Sequence, residues 1–304
     1  MTTVNDMLYQ AADSNNTQGV ITALKKGANP DFISDGGAAI HLAVLHGNQV
    51  ILDHLLRFGA DVNLITVGGF SPLQVACDTE MYRIVPQLLA AGADLMFKEA
   101  NGNSALHFAA RGRYRQRNKQ VTRDLIKLLV QSGAAINDKS HLEYTPLHVA
   151  CACNNGPAAL ELIAQGADVT AATSKEGITP LHLIHPRDFP DVVSALIAAG
   201  ADVNAEAAGI GSPLYRATRL EAHKSALALL DAGAHQEVDE QEGALEMACK
   251  NTMVTVIRKM IEKTRATRRF GQGVTAERLI DAFHAGQHPG HVVNLAQTWA
   301  ATHA

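Results

Sequence analysis

The stretch Thr145-Pro146-Leu147-His148-Val149-Ala150, followed by Gly166-Ala167-Asp168-Val169, decides how this chain is read. Both pieces recur. The first returns as Ala38-Ala39-Ile40-His41, Ser71-Pro72-Leu73-Gln74, Ser104-Ala105-Leu106-His107, Thr179-Pro180-Leu181-His182 and Ser212-Pro213-Leu214-Tyr215. The second returns at Gly27-Ala28, Gly59-Ala60-Asp61-Val62-Asn63, Gly92-Ala93-Asp94, Gly133-Ala134, Gly200-Ala201-Asp202-Val203-Asn204 and Gly233-Ala234. Successive Gly-Ala pairs are 32, 33, 41, 33, 34 and 33 residues apart. Two motifs locked in one phase mark a tandem array of supersecondary units.

Each position has a physical role. Ser or Thr at the start is a helix N-cap, whose hydroxyl accepts a bond from an orphan amide. Proline follows at the first helical position, where its missing N–H costs nothing. Leucine and the next alanines face a neighbouring helix, and small side chains there allow close approach. A break such as His46-Gly47-Asn48 separates a second helix with paired aliphatics, Ile51, Leu52, Leu55 and Leu56 in one unit and Leu125, Ile126, Leu129 and Val130 in another. The glycine of the second motif ends that helix in a left-handed cap. A turn rich in glycine follows, as at Gly36-Gly37 and Gly68-Gly69.

These residues resemble the ankyrin repeat over residues 4–264. The resemblance implies an all-α, ankyrin-repeat solenoid: stacked helix-turn-helix units with hairpin loops to one side, about eight of them, none able to bury its apolar face alone. The ends depart as caps do. The first unit, from about Asp6 to Asn29, lacks the Thr-Pro-Leu-His motif and carries polar Asn5, Gln10 and Asn15 on its first helix. The eighth keeps Ala248, Val256, Ile257, Met260 and Ile261 but lacks a terminal Gly-Ala-Asp. Beyond Gly271-Gln272-Gly273, residues 272–303 read as a C-terminal helical pair, Thr275–Ala285 and Pro289–Ala301, capping the stack.

Composition narrows function. The chain has 304 residues, 47% hydrophobic but only 5% aromatic, so its core is built of small and aliphatic side chains. Its net charge is −4, which excludes a bulk nucleic-acid coater, because phosphate binding needs clustered positive charge. The charge is uneven: residues 1–100 carry ten acids and five bases, the rest 20 acids and 21 bases. The four cysteines, Cys77, Cys151, Cys153 and Cys249, show no metal-site spacing and read as reduced, buried thiols. No run approaches the ~18 apolar residues of a membrane span. The first residues have neither a basic nor an apolar region of a signal peptide. A cytoplasmic protein is the expectation, or a bacterial effector delivered into a host cytosol by another signal.

The resemblance implies no catalysis and no cofactor. It implies binding of another protein through the concave groove of the first helices and the hairpin tips, as adaptor, inhibitor or scaffold. It also implies that His41, His107, His148 and His182 are structural. Three basic features mark candidate contacts. The 41-residue step places about eight extra residues near 114–121, in a run holding Arg111, Arg113, Tyr114, Arg115, Arg117, Lys119 and Arg123 without an acid. Arginine suits bidentate carboxylate and phosphate contacts, and long insertions are common functional places; a solvated helix extension is the structural alternative. Arg111, Arg187, Arg219 and Lys250, with Arg216 nearby, fall on groove-facing positions and align as a positive stripe unless Asp78, Asp188 and Glu221 neutralise it. Arg258 to Arg269 holds six bases and one acid, in keeping with a helix dipole's C-terminal preference. Tyr114 and Tyr215 are candidate aromatic anchors, although Tyr215 stands where the motif has histidine. The partner-binding set is therefore Arg111, Arg113, Tyr114, Arg115, Arg117, Arg187, Tyr215, Arg216, Arg219 and Lys250, facing an acidic protein surface.

Other chemistries fit less well. His284, His288 and His291 lie close together, yet only Asp281 is near them, which falls short of a zinc ligand set. The sequence has no Gly-x-Ser-x-Gly, no phosphate-binding glycine loop and no His-Glu-x-x-His, so no enzyme is expected. Nucleic-acid binding through the arginine run is the less favoured alternative. A monomer is expected. The resemblance further implies that Asn63 and Asn204 stand in the context of hairpin asparagines that a eukaryotic asparaginyl hydroxylase modifies.

Overall fold

The computed structural model describes residues 3–34, 37–112, 119–183, 190–235, 244–251, 253 and 255–260. Their regular elements are helices apart from one short hairpin and an isolated bridge. In chain order the helices are α1 (Val4–Asp13), α2 (Thr17–Lys25), α3 (Ala39–Leu45), α4 (Gln49–Arg57), α5 (Pro72–Asp78), α6 (Val85–Ala90) and α7 (Ala105–Arg111). They continue as α8 (Lys119–Gln131), α9 (Pro146–Ala152), α10 (Gly156–Ala164), α11 (Pro190–Ala198), α12 (Pro213–Arg219), α13 (His223–Asp231) and α14 (Ala244–Lys250). Strands β1 (Ile33–Ser34) and β2 (Gly37–Ala38) pair antiparallel, Ile33 opposite Ala38.

The described residues group into two bodies. The first runs to Ala150 and includes Pro157–Ala167; the second holds Cys151–Gly156 and the described residues from Asp168 onward. In the first, α1 packs on α2 and α3, α3 on α4 and α5, and α5 on α6 and α7. In the second, α12 packs on α13, α14 and the turn Pro180–Leu183, and α11 on α13. First helices lie against first helices of the next repeat through fully buried Ala43, Ala76 and Ala109, and the second helices supply buried Ile51, Leu52, Leu55, Leu88, Leu125, Ile126 and Leu129. Ile51 and Leu55 repeat at i, i+4, which puts them on one helix face. The all-α repeat reading therefore holds.

Two backbone devices recur. At the end of the second helices, Gly59 has φ of 85° and Gly133 of 101°, and the next amide closes onto the helix (Ala60 N to Leu55 O, 3.0 Å). A Cβ added at Gly59 meets nothing within 4 Å. The dihedral, not crowding, selects glycine there. The turn between helices also takes one left-handed residue, and here side chains are tolerated: Asn15, Glu80, Asn154 and Glu221 have φ between 54° and 58°. Backbone bonds close this turn in the same way, Asn48 N to Ala43 O at 2.9 Å and Met81 N to Ala76 O at 2.9 Å.

Some expectations change. Asn15 sits in the turn after α1, not on it, and Asn5 of α1 accepts from the Asn29 amide at 2.8 Å. The described first helix of the sixth repeat is one 3-10 turn, Pro180–Leu183. α8 has 13 residues where α4 has 9, so four of the extra residues lengthen a helix. Residues 114–118 of the insertion, with Arg113 before them, and the C-terminal helical pair of 272–303 lie outside the described residues.

Candidate protein-binding surface

The recurring polar residues are taken up by the scaffold. At Ser71 the hydroxyl accepts from Gln74 N (3.2 Å), and Ser212 does the same for Tyr215 N (3.2 Å). Where the motif has histidine, the ring accepts from the cap residue's own amide. The backbone N–H of Ser104 donates to His107 Nδ1 (3.1 Å), that of Thr145 to His148 Nδ1 (3.2 Å) and that of Thr179 to His182 Nδ1 (3.1 Å). A backbone N–H can only donate, so Nδ1 is the unprotonated nitrogen and the ring proton sits on Nε2. That proton reaches the next repeat: His107 Nε2 to Tyr144 O at 2.9 Å, His182 Nε2 to Ala205 O at 3.0 Å. His41 has a longer cap bond, Ala38 N to Nδ1 at 3.4 Å; its Nε2 is directed at the Leu64 and Phe70 carbonyls without closing good hydrogen-bond geometry. Burial pushes His41, His107 and His182 below the ordinary imidazole value. The structural reading of the motif histidines holds for their backbone bonds.

The hairpin side is stitched by Asn and Asp. Asp61 N donates to Asp31 Oδ1 (2.8 Å), Asp94 N to Asn63 Oδ1 (2.7 Å) and His235 N to Asn204 Oδ1 (2.6 Å). Glu99 closes its own hairpin, accepting from the backbone and side-chain amides of Asn101 and Asn103. Burial would raise its carboxyl, but those four bonds outweigh it and hold the group below the usual carboxylate range.

Arg111 is the best-defined of the anticipated contact residues. Its Nη2 lies 2.6 Å and its Nε 3.2 Å from Asp78 Oδ1, and the guanidinium sits 5.0 Å from the centre of the Phe108 ring. Phe108 in turn meets Phe70 edge-on at 5.6 Å. Asp78 and Arg111 occupy the same position in successive repeats, 33 residues apart. The charge of Arg111 is thus neutralised in part by its neighbour, and its side chain remains 39% exposed. Arg219 is exposed at the end of α12, and Arg216 is half-buried near His182. Tyr215 is half-buried with its ring against the hairpin: a Cβ on Gly211 would stand 2.9 Å from Tyr215 Cδ1. Arg113, Tyr114, Arg115, Arg117 and Arg187, and the side chain of Lys250, lie outside what is described. Phe70 and Phe108 escaped the sequence reading. Phe108 stands where other repeats have Leu42, Val75 or Val149, and only the arginine one turn later hints at its role.

The thiols of Cys77 and Cys151 are buried, and burial raises both, Cys151 to about 12. They are therefore unreactive thiols, not thiolates. Among the described residues no group of three His, Cys, Asp or Glu side chains could hold a metal, and no helix is long and apolar enough to cross a membrane. His284, His288 and His291 lie outside the described residues.

A tandem stack of helix-turn-helix repeats, capped by serine, threonine and histidine and spaced by left-handed glycines, defines a helical repeat protein. The family model for ankyrin repeats (3 copies) matches residues 8–99, 80–173 and 116–207, and the chain belongs to the ankyrin-repeat family. A putative ankyrin repeat protein of fowlpox virus is 33% identical over 176 residues, 57% of this chain and 89% of that protein. The nuclear factor NF-kappa-B p105 subunit of Gallus gallus is 30% identical over 156 residues, 49% of this chain and 15% of the p105 subunit. The ankyrin repeat domain of human ASB11 matches 74% of this chain and 96% of its own with a TM-score of 0.63 and 28% identity. The chain thus spans only a small part of the length of relatives such as the p105 subunit. Ankyrin repeats are in general protein-interaction modules, and the fold is typically non-catalytic.

Proposed function

We propose that this protein is a non-catalytic adaptor, inhibitor or scaffold that binds a partner protein with an acidic surface in the cytosol, and that it acts as a monomer. The proposed interface is the inner face of the first helices together with the hairpin tips. Arg111, Arg216 and Arg219 are contact residues, joined by Arg113, Tyr114, Arg115 and Arg117 of the insertion, by Arg187 and Lys250, and by Tyr215. One observation carries the reading. The repeating polar residues are consumed by caps and seams, whereas the position that varies from repeat to repeat presents Asp78, Arg111 and Arg219, charged and at least partly exposed on Arg111 and Arg219. Partly desolvated arginine of this kind supplies specificity and speeds association with an acidic partner. A host-cell effector would use the same binding mode.

The test is a crosslinked pull-down comparing the native chain with Arg111→Glu/Arg216→Glu/Arg219→Glu, after circular dichroism shows both folded. Capture of one acidic protein by the native chain and its loss with the variant supports the reading. Unchanged capture moves the interface to the hairpin tips. Nucleic acid co-purifying with the native chain, and no protein, overturns it in favour of nucleic-acid binding through the arginine run.

A further inference from the structure

Three seams between neighbouring repeats are closed by a ring or an amide that does the same work. Each group accepts at one end from the N-cap backbone N–H of its own repeat and donates at the other to a backbone carbonyl of the next. His107 does this through Nδ1 and Nε2, from Ser104 N at 3.1 Å to Tyr144 O at 2.9 Å. His182 does so from Thr179 N at 3.1 Å to Ala205 O at 3.0 Å. In the third repeat the group is Gln74. Its Oε1 accepts from Ser71 N at 3.1 Å, and its Nε2 donates to Asn103 O at 3.0 Å and Phe97 O at 3.2 Å. The bonds correspond end for end, and His107, His182 and Gln74 are all buried. The chemical difference is that imidazole takes up a proton near neutrality and a carboxamide does not.

We infer that the repeat stack carries an acid-labile switch at its histidine seams, His107 and His182, and an acid-indifferent seam at Gln74. Protonation occurs at Nδ1, the nitrogen that already accepts the cap N–H. The new N–H then faces the cap N–H at 3.1 Å and can turn only to the cap hydroxyl, Ser104 Oγ or Thr179 Oγ1, each 2.9 Å from Nδ1. One buried bond is lost, and a charge is left in the core without a carboxylate bonded to it in either seam. The surrounding charges do not rescue it. Around His107, Asp138 and Glu99 favour the charged ring and Lys98 opposes it; Lys98 and Asp138 are themselves paired at 2.6 Å. Around His182, Asp202 favours it and Arg216 opposes it. Burial is the largest influence on both and works against the charged form. The folded chain therefore binds fewer protons than the unfolded one from the ordinary imidazole value of 6.5 downward, so stability is full above that pH and falls as pH falls through the window. Carboxylates of ordinary strength titrate below it. The behaviour is independent of which partner the protein binds, and it couples any binding that needs adjacent repeats to mild acid.

The experiment measures the unfolding constant from urea titrations between pH 5 and 7.5 for the native chain, His107→Gln, His182→Gln and Gln74→His. Each histidine that stops titrating lowers the slope of log K against pH by up to about one, a tenfold change per pH unit. The two His→Gln variants are expected to keep near-native stability at pH 7.5 and to show the shallower slope. Gln74→His is expected to steepen it. A His107→Gln profile parallel to the native one overturns the inference. Should a variant fail to fold, the native chain decides alone by NMR: rings of His107 and His182 still neutral and protonated on Nε2 at pH 6 support it, and titration at the ordinary value overturns it.

Discussion

Glu221 holds φ at 57° in the turn between α12 and α13, a conformation that costs an L-residue about 1–2 kcal/mol. Glycine removes that strain but adds about 0.4–1 kcal/mol of chain entropy to the unfolded state. The account predicts a net gain of about 0.5–1 kcal/mol for Glu221→Gly, read as a higher urea midpoint. An unchanged or lower midpoint would mean the carboxylate side chain contributes more than the turn costs. Glu99 offers a pH test at the same scale. Its carboxyl is held below the ordinary 4.5, so its contribution is complete above that pH and is lost as pH falls through the depressed value. Glu99→Gln should be less stable at pH 6 and lose less on acidification below 4.5, measured by thermal unfolding at several pH values. Neither role was legible in the sequence. Gly47 and Gly112 advertise the left-handed turn, but a glutamate in the same place does not, and Glu99 resembles any charged loop residue until Asn101 and Asn103 are seen to fold over it.

At the scale of elements, α8 shows how the repeat absorbs an insertion. Its buried face, Thr122, Leu125, Ile126 and Leu129, keeps the helical period through the longer helix. Leu125 is fully buried between α8 and its neighbours. Leu125→Ala should cost about 2–5 kcal/mol by leaving a cavity, measured by chemical denaturation. A loss near zero would show that the long helix is not held by that face. Elements with a strict motif could be read directly: Ser71-Pro72-Leu73 starts α5 where the cap rule places it, and Gly92 ends α6's repeat in a left-handed turn. The sixth repeat could not. Thr179-Pro180-Leu181-His182 reads as the start of a full helix, yet only one 3-10 turn, Pro180–Leu183, is described there. Residues 184–189, which follow that turn, lie outside the described residues.

For the molecule as a whole, the period of Gly-Ala pairs carried the fold, because each repeat spends the same residues on the same caps and seams. The binding surface was less legible for a physical reason. Contact residues are the ones the repeat does not dictate, so a single sequence marks them only by charge. Charge singles out Arg111 as a candidate, but its anchoring by Asp78 and Phe108 depends on packing between adjacent repeats. Partner binding through that inner face is the central claim, and mapping the crosslinked residues of the captured complex by mass spectrometry tests it most directly. The account predicts crosslinks from residues on α5, α7 and α12 and their hairpins, lost on reversing Arg111, Arg216 and Arg219. Crosslinks confined to the second helices, α4, α6 and α13, would contradict it.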